Sequence, residues 1–391
     1  MSDVIVIGCG ISGAATAYEL AKAGRSVTIV ERYHPAAMAS GWTLAGVRQS
    51  GRDPRELPLA MAAVRIWEQL DRELDAPTGY TQEGNLRIGV ADADIPRLRD
   101  IVAQGTAQGL DLSFLPDSAA IRAFAPAISP HVAAASYCPT DGHADPDLTV
   151  NAYLRAAGRL GARTRFGECV QAIETRGGRV SGVRTDTGVL PADAVVLASG
   201  VFGNDLLAPF GLSVPLAVKC VTVVRTRPTV PLLAQVLSVA DASNAEAACA
   251  GRQQNDGAFR FTSGIEDWTE QLVERAGRPV IAPKAAALAA TIGSFGAVVP
   301  ASLDLGVESF WCGLIDQTPD ALPVLDGVDR VAGLFLARGF SGHGFCLGPV
   351  TGRIMAALVN GEAPPLPIGA FALSRFGEAE QVRFDPVTLH G

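Results

Sequence analysis

Hydrophobic positions in this chain fall into two kinds of run. Val4-Ile5-Val6-Ile7 and Ala194-Val195-Val196-Leu197 are unbroken and mostly β-branched. A run with no polar face predicts a strand covered on both sides, as in a parallel sheet. Elsewhere the apolar residues are periodic. Leu59, Ala63, Ile66 and Leu70 predict an amphipathic helix over 55–74, and a second helix is expected over 95–108. Asp145-Pro146 reads as an N-cap followed by proline at the first helical position, opening a helix through Leu148, Ala152, Leu154 and Ala157 to about Gly161. Short strands are expected at 85–90 and 26–30, and a hairpin pairs 169–174 with 180–186 across Arg176-Gly177-Gly178-Arg179. From 212 to 311 the texture changes. Strands at 217–226 and 258–262 sit among frequent prolines, with a helix read at 269–276. The end of the chain returns to strand (333–336), a glycine-rich stretch and a helix from Pro349.

The order of these elements divides the chain. Segments 1–84, 145–212 and 322–391 have α/β character, and 85–144 and 213–321 read as a second, mainly antiparallel unit inserted between them. No repeat or low-complexity linker separates the two. The α/β unit is thus split into separated pieces with another unit inserted.

The first strand runs into Gly8-Cys9-Gly10-Ile11-Ser12-Gly13, then an alanine-rich helix over 14–23, a second strand and Glu31. Strand, GxGxxG, helix, strand and acid within about thirty residues is the dinucleotide fingerprint in its required context. Gly8 permits the turn, Gly10 lets backbone approach a pyrophosphate, and Gly13 lets helix and strand pack closely. The helix N-terminus offers unpaired N–H groups and a positive dipole end. Glu31 accepts hydrogen bonds from a ribose 2′-hydroxyl and repels a 2′-phosphate, so the ligand is FAD or NAD.

Composition narrows this further. The 391 residues are 48% hydrophobic and carry a net charge of −8, which argues against nucleic acid as a partner. Lysine occurs only at Lys22, Lys219 and Lys284. The seven cysteines are scattered and never spaced CxxC, which fits neither a disulfide framework nor a metal site and suits a reducing cytoplasm. The first residues lack a secretory signal, and no apolar run reaches the roughly 18 residues of a membrane span.

Four motifs in order, GCGISG with Glu31, AVVLASG, WCGLIDQTPDALPVLDG and GFSGHGF, together resemble the D-amino acid oxidase-like FAD family, along essentially the whole chain. Its members include sarcosine and glycine oxidases and the flavin subunits of opine and hydroxyproline dehydrogenases. The resemblance implies an α/β fold: a Rossmann-type FAD-binding domain in discontinuous pieces, with an inserted mixed, mainly antiparallel β substrate domain carrying helices. It implies FAD contacts at Gly8, Gly10, Ile11, Ser12, Gly13, Glu31, Arg32, Ser40, Gly46, Val47, Arg48, Val170, Ser199, Gly200, Gly339, Ser341, Gly342, His343, Gly344 and Phe345. The second glycine loop, 339–345, is then expected to face the isoalloxazine, with the following helix aimed at its pyrimidine end, where reduction places negative charge.

The implied reaction is oxidation of a carbon–nitrogen bond. Hydride passes from the carbon beside a neutral amine to flavin N5, and the resulting imine hydrolyses. The substrate is an amino acid or secondary amine, such as an N-alkyl amino acid, opine or imino acid. Arg48 is implied near the flavin face and Arg52 near a substrate carboxylate, although their spacing differs by one residue from the sarcosine oxidase pattern. His343 is a further candidate, and Arg260 a weaker carboxylate partner.

Three departures bear on the details. Ile315 stands where glycine oxidases have a carboxylate-binding arginine, Cys346 stands where monomeric sarcosine oxidases have lysine, and 249–264 contains no oxygen-activating lysine. They weaken glycine, sarcosine and oxygen as reactants. They leave open a flavin subunit passing electrons to a partner, with Lys219 or Lys284 as the lysines still able to enter the site. Cys312 lies one position from the register at which some relatives attach FAD, so non-covalent FAD is expected. A more remote alternative is an NAD-dependent reductase or a non-redox nucleotide-binding protein.

Overall fold

The computed structural model describes residues 3–240, 248–377 and 384. Residues 1–2 of the segment 1–84, 241–247 of 213–321, and most of the end of 322–391 lie outside the described residues.

The first apolar run becomes the centre of a six-stranded sheet. Val4–Ile7 pairs in parallel with Val27–Glu31 on one side and Ala194–Leu197 on the other. Arg163–Phe166 and Leu334–Arg338 extend the sheet in parallel, and Val324–Gly327 closes one edge antiparallel. Every residue of Val4–Ile7 and Ala194–Leu197 is buried, as the absence of a polar face requires. Arg163–Phe166 is exposed along its length, and its two arginines protect an open edge. The hairpin forms at Val170–Arg176 and Arg179–Thr185 and gains a third strand, Gly188–Pro191.

Two helices lie side by side on this sheet, Ile11–Lys22 and Gly344–Asn360. Their contact depends on glycine. A Cβ on Gly348 would stand 2.3 Å from Ile11 Cγ1, and one on Gly352 would stand 2.7 Å from the Ala15 carbonyl carbon. Gly13 packs the first helix on its strand, where a Cβ would meet the Gly8 carbonyl oxygen at 2.1 Å.

An eight-stranded sheet forms the second layer. Its order is Val307–Gln317, Ala217–Thr226, Phe259–Asp267, Cys249–Gln253, Val236–Ala240, Asn85–Gly89, Ala134–Cys138 and Ser113–Leu115. All neighbours are antiparallel except Val236–Ala240 with Asn85–Gly89. One face packs on helix Ala285–Val298, whose Phe295 stacks on Phe261 at 4.3 Å. The other face looks toward the first sheet.

Two local expectations are corrected, and one helix was not expected. The helix read at 269–276 is instead a hairpin, Val273–Arg275 with Arg278–Val280. Ala276 and Gly277 both have positive φ (50° and 69°), the conformation of a tight turn. The Ala285–Val298 helix gave no periodic signal, because alanine occupies all its faces. The last helix starts at Gly344 rather than Pro349. Pro349 thus lies inside the helix, where its ring costs the one hydrogen bond an N–H there would make to the Phe345 carbonyl.

Candidate active site

A cavity of about 610 Å³ lies between the two sheets, within the roughly 300–1,000 Å³ typical of ligand sites. One end is built by the fingerprint. Gly8 has φ +103°, and a Cβ there would meet the Ala198 carbonyl oxygen at 2.4 Å. The N-cap of the Ile11–Lys22 helix is Gly10, which has no side chain to cap it, and the first turn carries no acidic residue. The Ser40 hydroxyl accepts the Ile11 N–H at 2.9 Å, and a Cβ on Gly10 would stand 2.9 Å from the same oxygen. Glu31 is held at the end of its strand by the N–H groups of Cys9 (2.8 Å) and Tyr33 (2.9 Å). Arg32, Val170, Ser199 and Gly200 complete this end, with the Arg32 guanidinium 5.1 Å from the Phe202 ring centroid. A glycine cradle, a helix N-terminus with no acidic residue in its first turn and a fixed carboxylate fit the pyrophosphate and ribose of a dinucleotide.

The second glycine loop opens on the same cavity. Gly342, Gly344 and Phe345 line it, as do Gly46 and Arg48, and no side chain caps the Gly344–Asn360 helix. The two helix N-termini therefore converge, and the packing at Gly348 and Gly352 brings them together. Asp316 anchors the loop, accepting the Gly339 N–H at 2.8 Å. Burial raises its carboxyl above the ordinary value, against the lowering effect of that N–H and of Arg338.

Of the residues expected at the site, Gly8, Gly10, Ile11, Ser12, Glu31, Arg32, Ser40, Gly46, Arg48, Arg52, Val170, Ser199, Gly200, Gly342, Gly344 and Phe345 line the cavity. Gly13, Val47, Gly339, Ser341 and His343 are absent from its lining. Gly13 is a packing position, Val47 is buried, and the Ser341 hydroxyl accepts the Thr318 N–H at 3.1 Å. His343 faces a separate cavity of about 330 Å³, where its Nδ1 lies 2.9 Å from Glu56 Oε2.

The arginines have distinct surroundings. Arg48 is buried on the cavity wall, and its Nη1 donates to the Ser238 hydroxyl at 3.4 Å. Burial and then the charge of Arg52 push its pKa down to about 10, so it remains a cation at neutral pH. Arg52 borders both cavities. Its Nη1 is 3.4 Å from Glu56 Oε2, and its Nε donates to the Arg48 carbonyl at 3.1 Å. Burial alone would raise the Glu56 carboxyl, but His343 and Arg52 outweigh it and hold it below the ordinary value. Burial, followed by the charge of Arg52, lowers His343. Glu56 had no sequence signal, being one of 40 acidic residues.

The contacts of Asp141 and His143 are structural. The Asp141 carboxylate accepts the N–H groups of Gln49 (2.8 Å) and Ser50 (3.3 Å), fixing the loop that carries Arg48. Arg252 reaches His143 at 3.0 Å and the Ala144 carbonyl at 2.9 Å. Arg260 donates to the Gly41 carbonyl at 2.7 Å and lies 4.7 Å from the Trp311 ring centroid. Neither Arg252 nor Arg260 lines the cavity; both clamp backbone.

The departures also have places. Ile315 lines the cavity. The buried Cys346 thiol donates to the Arg48 carbonyl at 3.3 Å. Cys312 does not line the cavity, and its sulfur is 3.9 Å from the Thr222 hydroxyl. The three lysines pair elsewhere, Lys22 with Glu73, Lys219 with Asp267 and Lys284 with Glu266. Among the described residues, no helix is long and apolar enough to cross a membrane.

Comparison with known proteins agrees with this architecture. The family model described as "DAO: FAD dependent oxidoreductase" matches residues 3–358. A D-amino acid dehydrogenase of Rhizobium johnstonii is 28% identical over 96% of this chain and 100% of its own length. A 4-methylaminobutanoate oxidase (formaldehyde-forming) of Paenarthrobacter nicotinovorans is 26% identical over 95% of this chain, which spans 45% of that protein. The solved L-proline dehydrogenase of P. horikoshii shares the fold, with a TM-score of 0.87 at 24% identity over 98% of this chain and 99% of that one.

Proposed function

The chain belongs to the DAO family of FAD-dependent oxidoreductases, and from that premise we propose that it oxidises the carbon–nitrogen bond of an amino acid or secondary amine. The observation that carries the reading is Arg48, a buried cation on the wall of a cavity whose other end is a dinucleotide cradle. A guanidinium in that position binds a carboxylate by charge-assisted hydrogen bonds. On its place in the cavity wall beside Ser238, the carboxylate is assigned to Arg48; Arg52 stands between the two cavities and pairs with Glu56.

Bound FAD supplies the acceptor for the two electrons. The glycine cradle and Glu31 would hold its ADP portion, and the loop 342–345 would line the part of the cavity that takes its ring. The chain's own residues do three things. Arg48 fixes the carboxylate and so orients the adjacent C–H. The sheet face excludes water. The same buried cation disfavours a second positive charge nearby, so the amine binds neutral and no general base is required. Loss of hydride from the neutral amine would leave an iminium ion, which after release gives up a proton or is hydrolysed by water to the carbonyl compound and the free amine.

We read the attachment as non-covalent, since Cys312 is off the cavity, and the segments 1–84, 145–212 and 322–391 as the cofactor-binding unit. None of the three lysines reaches the site, which supports a dehydrogenase passing electrons to a partner rather than to oxygen. Anaerobic titration of the yellow protein with amino acids, N-alkyl amino acids, opines and prolines tests the reading. Bleaching of the visible bands by one class supports it, and no bleaching by any removes it. Slow reoxidation on admitting air supports the dehydrogenase, and fast reoxidation an oxidase. Colour remaining with acid-precipitated protein would indicate a covalent bond.

A further inference from the structure

The eight-stranded sheet carries one continuous cross-strand row on its cavity side. Trp311 pairs with Val223, Val223 with Thr262, Thr262 with Ala250, Ala250 with Ser238, and Ser238 with Arg87. Val223, Thr262, Ala250 and Ser238 line the cavity. The two ends of the row differ in polarity. At one end Ser238 meets Arg48 and the next partner is the buried Arg87. At the other end Val223 belongs to an apolar cluster with Val221, Ile315, Leu44 and Trp311. Strands lie about 4.8 Å apart, so three steps from Ser238 to Val223 cover roughly 14 Å.

We infer that the substrate is an amino acid with a large apolar side chain, its carboxylate at the Ser238–Arg48 end and its side chain toward Val223 and Ile315. This deepens the proposed function and rests on it. A row of that length leaves space unfilled by glycine or alanine. A polar side chain reaching that end would lose its water among Val221, Val223, Ile315 and Leu44, none of which offers a polar group on its side chain. Arg260 and Arg252 lie outside the cavity lining and each donates to backbone carbonyls, Arg260 to Gly41 and Arg252 to Leu44 and Ala144.

Near-isosteric pairs separate polarity from size. Leucine is compared with asparagine, and valine with threonine, as each enantiomer, by the anaerobic rate of bleaching per unit concentration. The apolar member is expected to win by about 10- to 100-fold, the usual cost of an unpaired buried polar group. Glutamate or asparagine matching leucine would overturn the inference and indicate that Arg260 reaches the cavity. A second readout needs no turnover. 4-Methylpentanoate and succinamate are titrated against the visible spectrum, and the former is expected to bind about 10-fold or more tightly. Val223→Asn should narrow both ratios. Binding of both acids without preference sinks the inference alone. No spectral response to any acid, together with no bleaching by any amine, removes the proposed function as well.

Discussion

Glu56 offers the sharpest test of the network behind the site. Its side chain is 1% exposed and that of Arg52 is 3% exposed, with 3.4 Å between their charged atoms. At that distance two unit charges attract by about 5 kcal/mol at an effective dielectric near 20. Glu56→Gln keeps the shape and removes the charge, leaving Arg52 buried without its counter-ion. Breaking a buried pair from one side costs about 3–5 kcal/mol. The glutamine carbonyl still accepts hydrogen bonds, so we expect a loss of about 3 kcal/mol. Urea unfolding of the wild type, Glu56→Gln, Arg52→Met and the double variant, at pH 7 with FAD bound, gives the coupling directly. The double variant should be more stable than Glu56→Gln, because it removes both charges. The sign with pH follows from the lowered carboxyl. Its contribution is complete above the ordinary carboxylate range and is lost as pH falls through it, so the glutamine variant should show a flatter acid limb. A loss below about 0.5 kcal/mol, or a cycle with no coupling, would refute the claim that this pair neutralises Arg52.

Three further outcomes are expected. Gly352→Val should wedge helices Ile11–Lys22 and Gly344–Asn360 apart, costing about 1–3 kcal/mol and lowering the ratio of visible to ultraviolet absorbance through lost FAD; unchanged occupancy would mean the helix contact does not position the cavity. His143 is held neutral by burial and then by Arg252, with its pKa lowered to about 3. The unfolded chain binds that proton first, so stability falls as pH drops below about 6.5, by about 2 kcal/mol between pH 7 and 5, and His143→Gln should remove that slope in thermal melts. Asp145→Ala removes the cap on the Leu148 N–H, a 2.8 Å hydrogen bond, and should cost about 1 kcal/mol in urea without altering the visible spectrum.

The N-terminal fingerprint was legible in the sequence because each of its parts is local. Val4–Ile7 has no polar face, Gly8 must turn, and Glu31 must follow the second strand, all within one βαβ unit. The capped helix at Pro146 was readable for the same reason. Local pattern failed where neighbours decide. Residues 269–276 are a hairpin because Ala276 and Gly277 take the left-handed turn, and the helix at Ala285–Val298 shows no period because alanine fills every face.

The sequence alone determined that two glycine loops exist and that arginine supplies nearly all the positive charge. Only tertiary structure decided what they do. Gly348 and Gly352 let two helices 330 residues apart touch, and both N-termini then open on one cavity. Six buried arginines look alike in a string of letters. Arg48 faces the cavity, Arg52 is neutralised by Glu56, and Arg252 and Arg260 hold backbone carbonyls. Arg338 donates to Asn204 at 2.8 Å, and Arg87 closes the row beside Ser238. A cation's role depends on which acceptors lie within a few ångströms of it, and the acceptors here come from strands far apart in the chain.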